Sequence, residues 1–95
     1  MNIHFRIEGV PDLYKLMNRR KKIELMFQGN TLQDLVNGLA TRFGAKVKEI
    51  LLDQKNEIDI DYRVVVNMSR YLSYGERMNE SLNEGDTVHI MTVGC

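Results

Sequence analysis

Residues 31–44 hold the one long stretch of this chain in which apolar side chains recur at helical spacing: Leu32, Leu35, Val36, Leu39 and Phe43. Steps of three and four residues put them on a single stripe, and such a stripe is stable only when something covers it. Thr31 precedes it as an N-cap, with Asp34 three residues on, near the positive end of the helix dipole. Gly44 follows as the C-cap. No second helix of comparable length is available, so the covering element has to be a sheet.

Strand patterns supply one. Ile3, Phe5 and Ile7 alternate with His4, Arg6 and Glu8, the period of a half-buried strand. Ile23, Leu25 and Phe27 alternate with Glu24 and Met26 in the same way. Between them, Gly9, Val10, Pro11 and Asp12 carry turn chemistry, and residues 13–18 read either as an extension of the strand or as loop. Three consecutive valines, Val64, Val65 and Val66, make a well-buried strand ending at Asn67. Glu84-Gly85-Asp86 forms a tight turn with Gly85 at positive φ, after which Val88 and Ile90 point inward and Thr87, His89 and Met91 outward. Residues 45–52, with Val47, Ile50 and Leu51, suit a short second helical segment, and residues 53–57 a polar turn. Residues 68–78 read as irregular, with Tyr71, Leu72 and Tyr74 packing from a loop.

The order strand, strand, helix, strand, strand, with one apolar face each, is packed most simply as an α+β domain. One main helix lies across one face of a mixed sheet. This is the β-grasp arrangement, in which the last strand lies centrally, beside and parallel to the first. Its predicted core joins the helical stripe to Ile3, Phe5, Ile7, Ile23, Leu25, Val64, Val66, Val88 and Ile90.

At 95 residues the chain is one domain over 1–95, long enough for a small core without metal or disulfides. Its formal net charge of zero argues against a dedicated nucleic-acid binder. The charges are unevenly placed: the first half is basic and the second acidic. Lys15, Arg19, Arg20, Lys21 and Lys22 form the densest basic run, which is either a solvated loop or a docking patch for an acidic partner. A single Cys excludes an internal disulfide framework and a multi-Cys zinc site. With His4, Arg6 and Glu8 interrupting the N-terminal apolar residues, no signal peptide is expected, and a cytoplasmic location is.

Catalytic candidates are few. His4 and His89 fall on outward positions of neighbouring strands but lack a third ligand, so no metal site is expected. Glu57, Asp59 and Asp61 alternate along a loop or an edge strand, lack the Gly bend and distal Glu of a calcium loop, and read as a solvated edge. There is no glycine-rich phosphate loop and no nucleophile–base arrangement, so an independent enzyme is not expected and no bound cofactor is called for. The outward sheet face is more suggestive. Met26, Val65 and Met91, flanked by His4, Arg6 and His89, would expose adaptable apolar side chains to a partner.

Three segments, taken in order, carry a resemblance. Thr31-Leu32-Gln33-Asp34-Leu35 looks like the helix start, Val64-Val65-Val66-Asn67 like the V-x-V-N strand, and residues 82–90 like the final turn and strand of the ThiS/MoaD family of ubiquitin-like sulfur carriers, of which the small subunit of molybdopterin synthase is one. The family's Gly after that Asn is Met68 here, and its C-terminal Gly-Gly is replaced by Val93-Gly94-Cys95.

The resemblance implies a carrier without catalytic residues of its own. Its C-terminal carboxylate would be adenylated with ATP by a partner enzyme of the ubiquitin-activating type and converted to a thiocarboxylate. A sulfur-accepting synthase subunit would then use it in cofactor biosynthesis, for molybdopterin, tungstopterin or thiamine. It also implies partner contacts on the outward sheet face, through Met26, Val65, His89 and Met91, and on the tail at Val93.

The ending leaves several routes. Gly94 carries the activated carbonyl if a C-terminal peptidase first removes Cys95. Alternatively Cys95 is the acyl end, or its thiol carries sulfur as a persulfide, although the adjacent carboxylate disfavours the thiolate this needs. The alternative class is a ubiquitin-like interaction module that transfers nothing. In every case residues from about 92 to 95 are expected to form a flexible tail beyond the anchored strand.

Overall fold

The computed structural model describes residues 1–92. Five strands form one sheet: β1 (Asn2–Glu8), β2 (Lys22–Met26), β3 (Tyr62–Val66), β4 (Arg70–Leu72) and β5 (Thr87–Thr92), in the order β2-β1-β5-β3-β4. β5 runs parallel to β1, and the other neighbouring pairs are antiparallel. Three helices, α1 (Pro11–Leu16), α2 (Leu32–Phe43) and α3 (Lys46–Leu51), contribute to one core with the inward strand residues. This is the β-grasp, ubiquitin-like fold.

The helical stripe behaves as its spacing requires. Leu32, Leu35, Val36 and Leu39 are fully buried. Phe43, expected in the core, packs only at its margin, with the Arg42 guanidinium 5.0 Å from its ring centroid. Thr31 and Asp34 form a capping box, in which the Asp34 amide donates to Thr31 Oγ1 and the Thr31 amide donates to Asp34 Oδ2. These donors, that of Thr31 first, hold the Asp34 carboxyl below its ordinary value.

Two segments depart from the sequence reading. Residues 13–18 are neither strand nor loop throughout, because Pro11 opens the short helix α1. Its missing N–H costs nothing at that position, and Val10, Leu13 and Met17 at helical spacing are buried. In the span read as irregular, β4 pairs with β3 through a turn in which Asn67 and Met68 both have positive φ, 54° and 64°. That is the pattern of a type I′ hairpin. Tyr71 lies on β4 with 63% of its surface exposed, so it does not pack inward, whereas Leu72 does.

Arg77 was not singled out by the sequence, yet it is only 3% exposed. Its guanidinium donates to the carbonyls of Ile58 (2.6 Å), Asp59 (2.9 Å) and Tyr62 (3.0 Å), tying the loop before β3 to the 3-10 turn at Arg77–Asn79. It also lies 5.6 Å from the centroid of Tyr74, whose hydroxyl donates to Asp53. Asp53 Oδ1 accepts from the amides of Lys55 and Glu57, and Asp59 Oδ1 from that of Asp61. These carboxylates shape turns, and Glu57, Asp59 and Asp61 lie in a loop rather than on an edge strand.

Candidate functional site

The region that matters is where β5 ends. Its entry is fixed first. Asp86 is buried and accepts from the Asn83 amide (2.8 Å) and from Asn67 Nδ2 (3.0 Å), while Asn67 Oδ1 accepts from the Thr87 amide (2.9 Å). Gly85, at φ 85°, makes the turn possible and donates to the Asn2 carbonyl. Asn67 and the Gly85-Asp86 pair are therefore one clasp that sets the start of β5 against both β1 and β3.

From there β5 runs between two partners to its end. Val88 and Ile90 are fully buried. Met91 stands opposite Glu8 on one side and Arg63 on the other, and Thr92 stands opposite Tyr62. Thr92 is thus a paired strand residue. The tail expected from about residue 92 begins no earlier than 93, and Val93, Gly94 and Cys95 lie outside the described residues. At the same point Gly9 has φ 71°, and a Cβ built on it would fall far inside contact distance of Thr92 Oγ1. Only a glycine lets β1 turn away so close to the end of β5.

The open sheet face differs in exposure from the expectation. Rows of side chains cross it in register: Lys22, Arg6, His89, Val65 and Tyr71 in one, Glu8, Met91 and Arg63 in the next. Val65 is only 4% exposed and His89 only 7%. Both sit on central strands, Val65 between His89 and Tyr71 and His89 between Arg6 and Val65, and the Arg63 guanidinium reaches diagonally to 5.8 Å from the Tyr71 ring centroid. Alternation gives the side a residue faces, but the width of its neighbours decides whether it is exposed. Met26, on the edge strand, is 77% exposed, and Met91 is half-buried. His4 is exposed two residues along β1 from Arg6, so the two histidines share a face but differ in burial.

Electrostatics at this face centre on His89. Burial pushes its pKa below the ordinary value, the Arg6 guanidinium lowers it further, and Glu8 opposes both. Its Nε2 lies 3.8 Å from Glu8 Oε2, and its buried Nδ1 has no hydrogen-bond partner. Among the described residues no three of His, Cys, Asp and Glu come together as a metal-holding group, and no helix is long and apolar enough to cross a membrane.

Beside the Gly9–Thr92 contact lies a cavity of about 330 Å³, its lining almost wholly apolar. Ile7, Gly9, Val10, Pro11 and Tyr14 form it, with Glu8 and Lys21 the only charged side chains on it among the described residues. The sequence pointed to the basic run but not to this cavity, which exists only because α1 replaces the expected loop.

No family model matches this chain, and no curated protein matches it either. Solved structures do. A chain of the Amycolatopsis orientalis BexX/CysO complex is 17% identical, with 98% of this chain and 97% of that one covered and a TM-score of 0.78. Urm1 from Trypanosoma brucei is 25% identical, with coverages of 96% and 90% and a TM-score of 0.71. A putative molybdopterin converting factor, subunit 1, from Pyrococcus furiosus is 21% identical, with 97% of both chains covered and a TM-score of 0.67. The shared fold thus extends over nearly all of each chain.

Proposed function

We propose that this chain is a ubiquitin-like sulfur carrier that works as a small protein subunit beside partner enzymes, in the cytoplasm. The observation that carries the reading is the placement of β5. It is held on both sides in the middle of the sheet, with its last residue, Thr92, beside Gly9. A segment rooted so firmly gives a following acyl group a defined origin, which raises its effective concentration in a partner's active site. Fold likeness to a putative molybdopterin converting factor subunit, and to a chain of the BexX/CysO complex, supports a carrier that assembles with other proteins.

In this proposal Gly94 is the acyl residue once a peptidase has removed Cys95. Its carboxylate attacks the α-phosphorus of ATP on the activating enzyme, and pyrophosphate leaves. Hydrosulfide delivered by a partner then attacks the acyl carbon, the acyl–oxygen bond breaks with AMP as the leaving group, the thiol proton is lost, and a thiocarboxylate remains for transfer of its sulfur to a cofactor precursor. The open face, with Met26 and Met91 the accessible apolar groups beside His89 and Val65, and Val93 on the tail serve as partner contacts. No cofactor is bound by the carrier, and ATP belongs to the activating enzyme.

ATP–pyrophosphate exchange with the full-length and Cys95-deleted forms, side by side with an activating enzyme from the same source, tests this. Exchange only with the deleted form is the expected result. Exchange only with the full-length form moves the chemistry to Cys95. No exchange with either, when the enzyme works on another carrier, leaves the non-transferring interaction module.

A further inference from the structure

We propose that the apolar cavity at the β1–α1 turn, together with the basic run that borders it, is a docking site for an acidic partner segment carrying one apolar anchor side chain. Three observations converge on it. The cavity of about 330 Å³ accepts a side chain of leucine or phenylalanine size between Val10, Pro11 and Tyr14. Lys15, Arg19, Arg20, Lys21 and Lys22 are all exposed, and none of them enters an ion pair among the described residues. The two features meet at Lys21, which lines the cavity, and at Tyr14, whose carbonyl accepts from the Arg19 amide at 2.9 Å, whereas Lys15 lines a separate recess with Asp12, Leu16 and Lys46 and Lys22 lies in the Arg6 row of the open face.

The backbone between them is held unusually. Asn18 and Arg19 both adopt positive φ, 57° and 61°, a region that non-glycine side chains enter at a cost. That conformation turns the chain within two residues of a six-residue helix, so that Arg19 to Lys22 lie beyond its end instead of spreading along a longer one. Glu8 is the one acidic side chain on the cavity lining, and it faces His89 across the sheet. The surface therefore selects carboxylates around an apolar anchor, and positive charge around the same anchor is rejected. The inference stands apart from acyl transfer, because it requires neither ATP nor the residues after Thr92. It does mean that a partner seated there would meet the chain where β5 ends, through Gly9.

Amide chemical shifts of the full-length protein, titrated with two synthetic peptide sets, provide the test. Both sets carry a central leucine or phenylalanine, flanked by aspartate and glutamate in one and by glutamine in the other. Saturable shifts at Gly9, Val10, Tyr14 and Lys21 with the acidic set are expected. They should weaken as salt rises, because the charge pairs are exposed. The double variant Arg20→Glu, Lys21→Glu changes only exposed side chains, keeps the fold, and should weaken binding by about tenfold. Tyr14→Ala should weaken it by removing a cavity wall. The proposal is overturned if neither set gives saturable shifts at millimolar peptide, or if both sets bind equally. It also fails if the shifts centre on Met26, Arg63 and Met91, if the signals change on dilution as for a second copy of this chain, or if binding appears only after residues 93–95 are deleted.

Discussion

Gly9→Ala tests the geometry at the end of β5 most directly. Two costs are expected. The first is local: an L-residue at φ 71° lies in the left-handed region, which disfavours a Cβ by about 1–2 kcal/mol. The second is the collision with Thr92 Oγ1, since the Gly9 position leaves no room for a methyl group. Thr92 must turn about χ1 or the strand must shift, and an off-rotamer side chain costs about 0.5–1.5 kcal/mol. Together they give a loss of roughly 1.5–3.5 kcal/mol. Urea denaturation of four proteins separates the two: wild type, Gly9→Ala, Thr92→Ala and the double variant. Thr92→Ala removes Oγ1 and keeps a Cβ that the new methyl tolerates. The double variant should therefore recover about 0.5–1.5 kcal/mol relative to additivity, the steric share, and leave the backbone share in place. Strict additivity would refute the claim that Gly9 is needed for close approach to Thr92. A Gly9→Ala loss under about 0.5 kcal/mol would refute the backbone argument as well.

Other outcomes follow from the same structure. His89 has a folded pKa below its unfolded value of about 6.5, so the unfolded chain binds the proton more readily. Stability from this group is fully present above that value and is lost as pH falls below it. Denaturation midpoints between pH 8 and pH 5 should show this fall, and His89→Gln should flatten it. Arg77→Met strips three carbonyls of a buried donor and should cost about 3–5 kcal/mol by thermal unfolding, more than any single surface charge. Met68→Gly relieves a left-handed Met at an exposed turn and should raise the urea midpoint, a gain of roughly 0.5–1 kcal/mol after the entropy of glycine is set against it. Met91→Glu should leave the far-ultraviolet dichroism and melting temperature near wild type while weakening partner capture; unfolding would mean that β5 is shifted by one residue, which turns over every side chain.

The parts of the fold that periodicity controls were legible in the sequence. Leu32, Leu35, Val36 and Leu39, the alternating residues of β1 and β2, and Val64 and Val66 each lie where their spacing put them. What stayed hidden depends on other things. β4 was missed because its hairpin lacks the usual Asn-Gly signal: Met68 occupies a left-handed position that sequence reading assigns to glycine. Helix α1 was missed because six residues are too few for a convincing period, although Pro11 at its first turn and the Val10, Leu13, Met17 spacing were available as a signal. The burial of Val65 and His89 depends on the girth of Tyr71, Arg63 and Arg6, spread over β4, β3 and β1, which no linear pattern contains. Arg77 gives no local signal, since its partners are carbonyls up to 19 residues away.

Among the described residues β5 is the last strand to be made, yet it occupies the middle of the sheet. His4 pairs with Thr87, and Ile7 with Ile90, so the inner edge of β1 has no partner until residues 87–91 have been synthesised. Until then β1 and β2 amount to a hairpin with one open edge, and β3 and β4 to another. A two-stranded hairpin alone is marginally stable, and an open edge invites pairing with other chains. Closing the sheet joins residues more than 80 positions apart, a slow step for so small a domain. Translation order thus makes assembly nearly all-or-none. A nascent chain that stalls before residue 87 is left as two sticky hairpins, while one that passes it gains a rigid root for whatever follows Thr92.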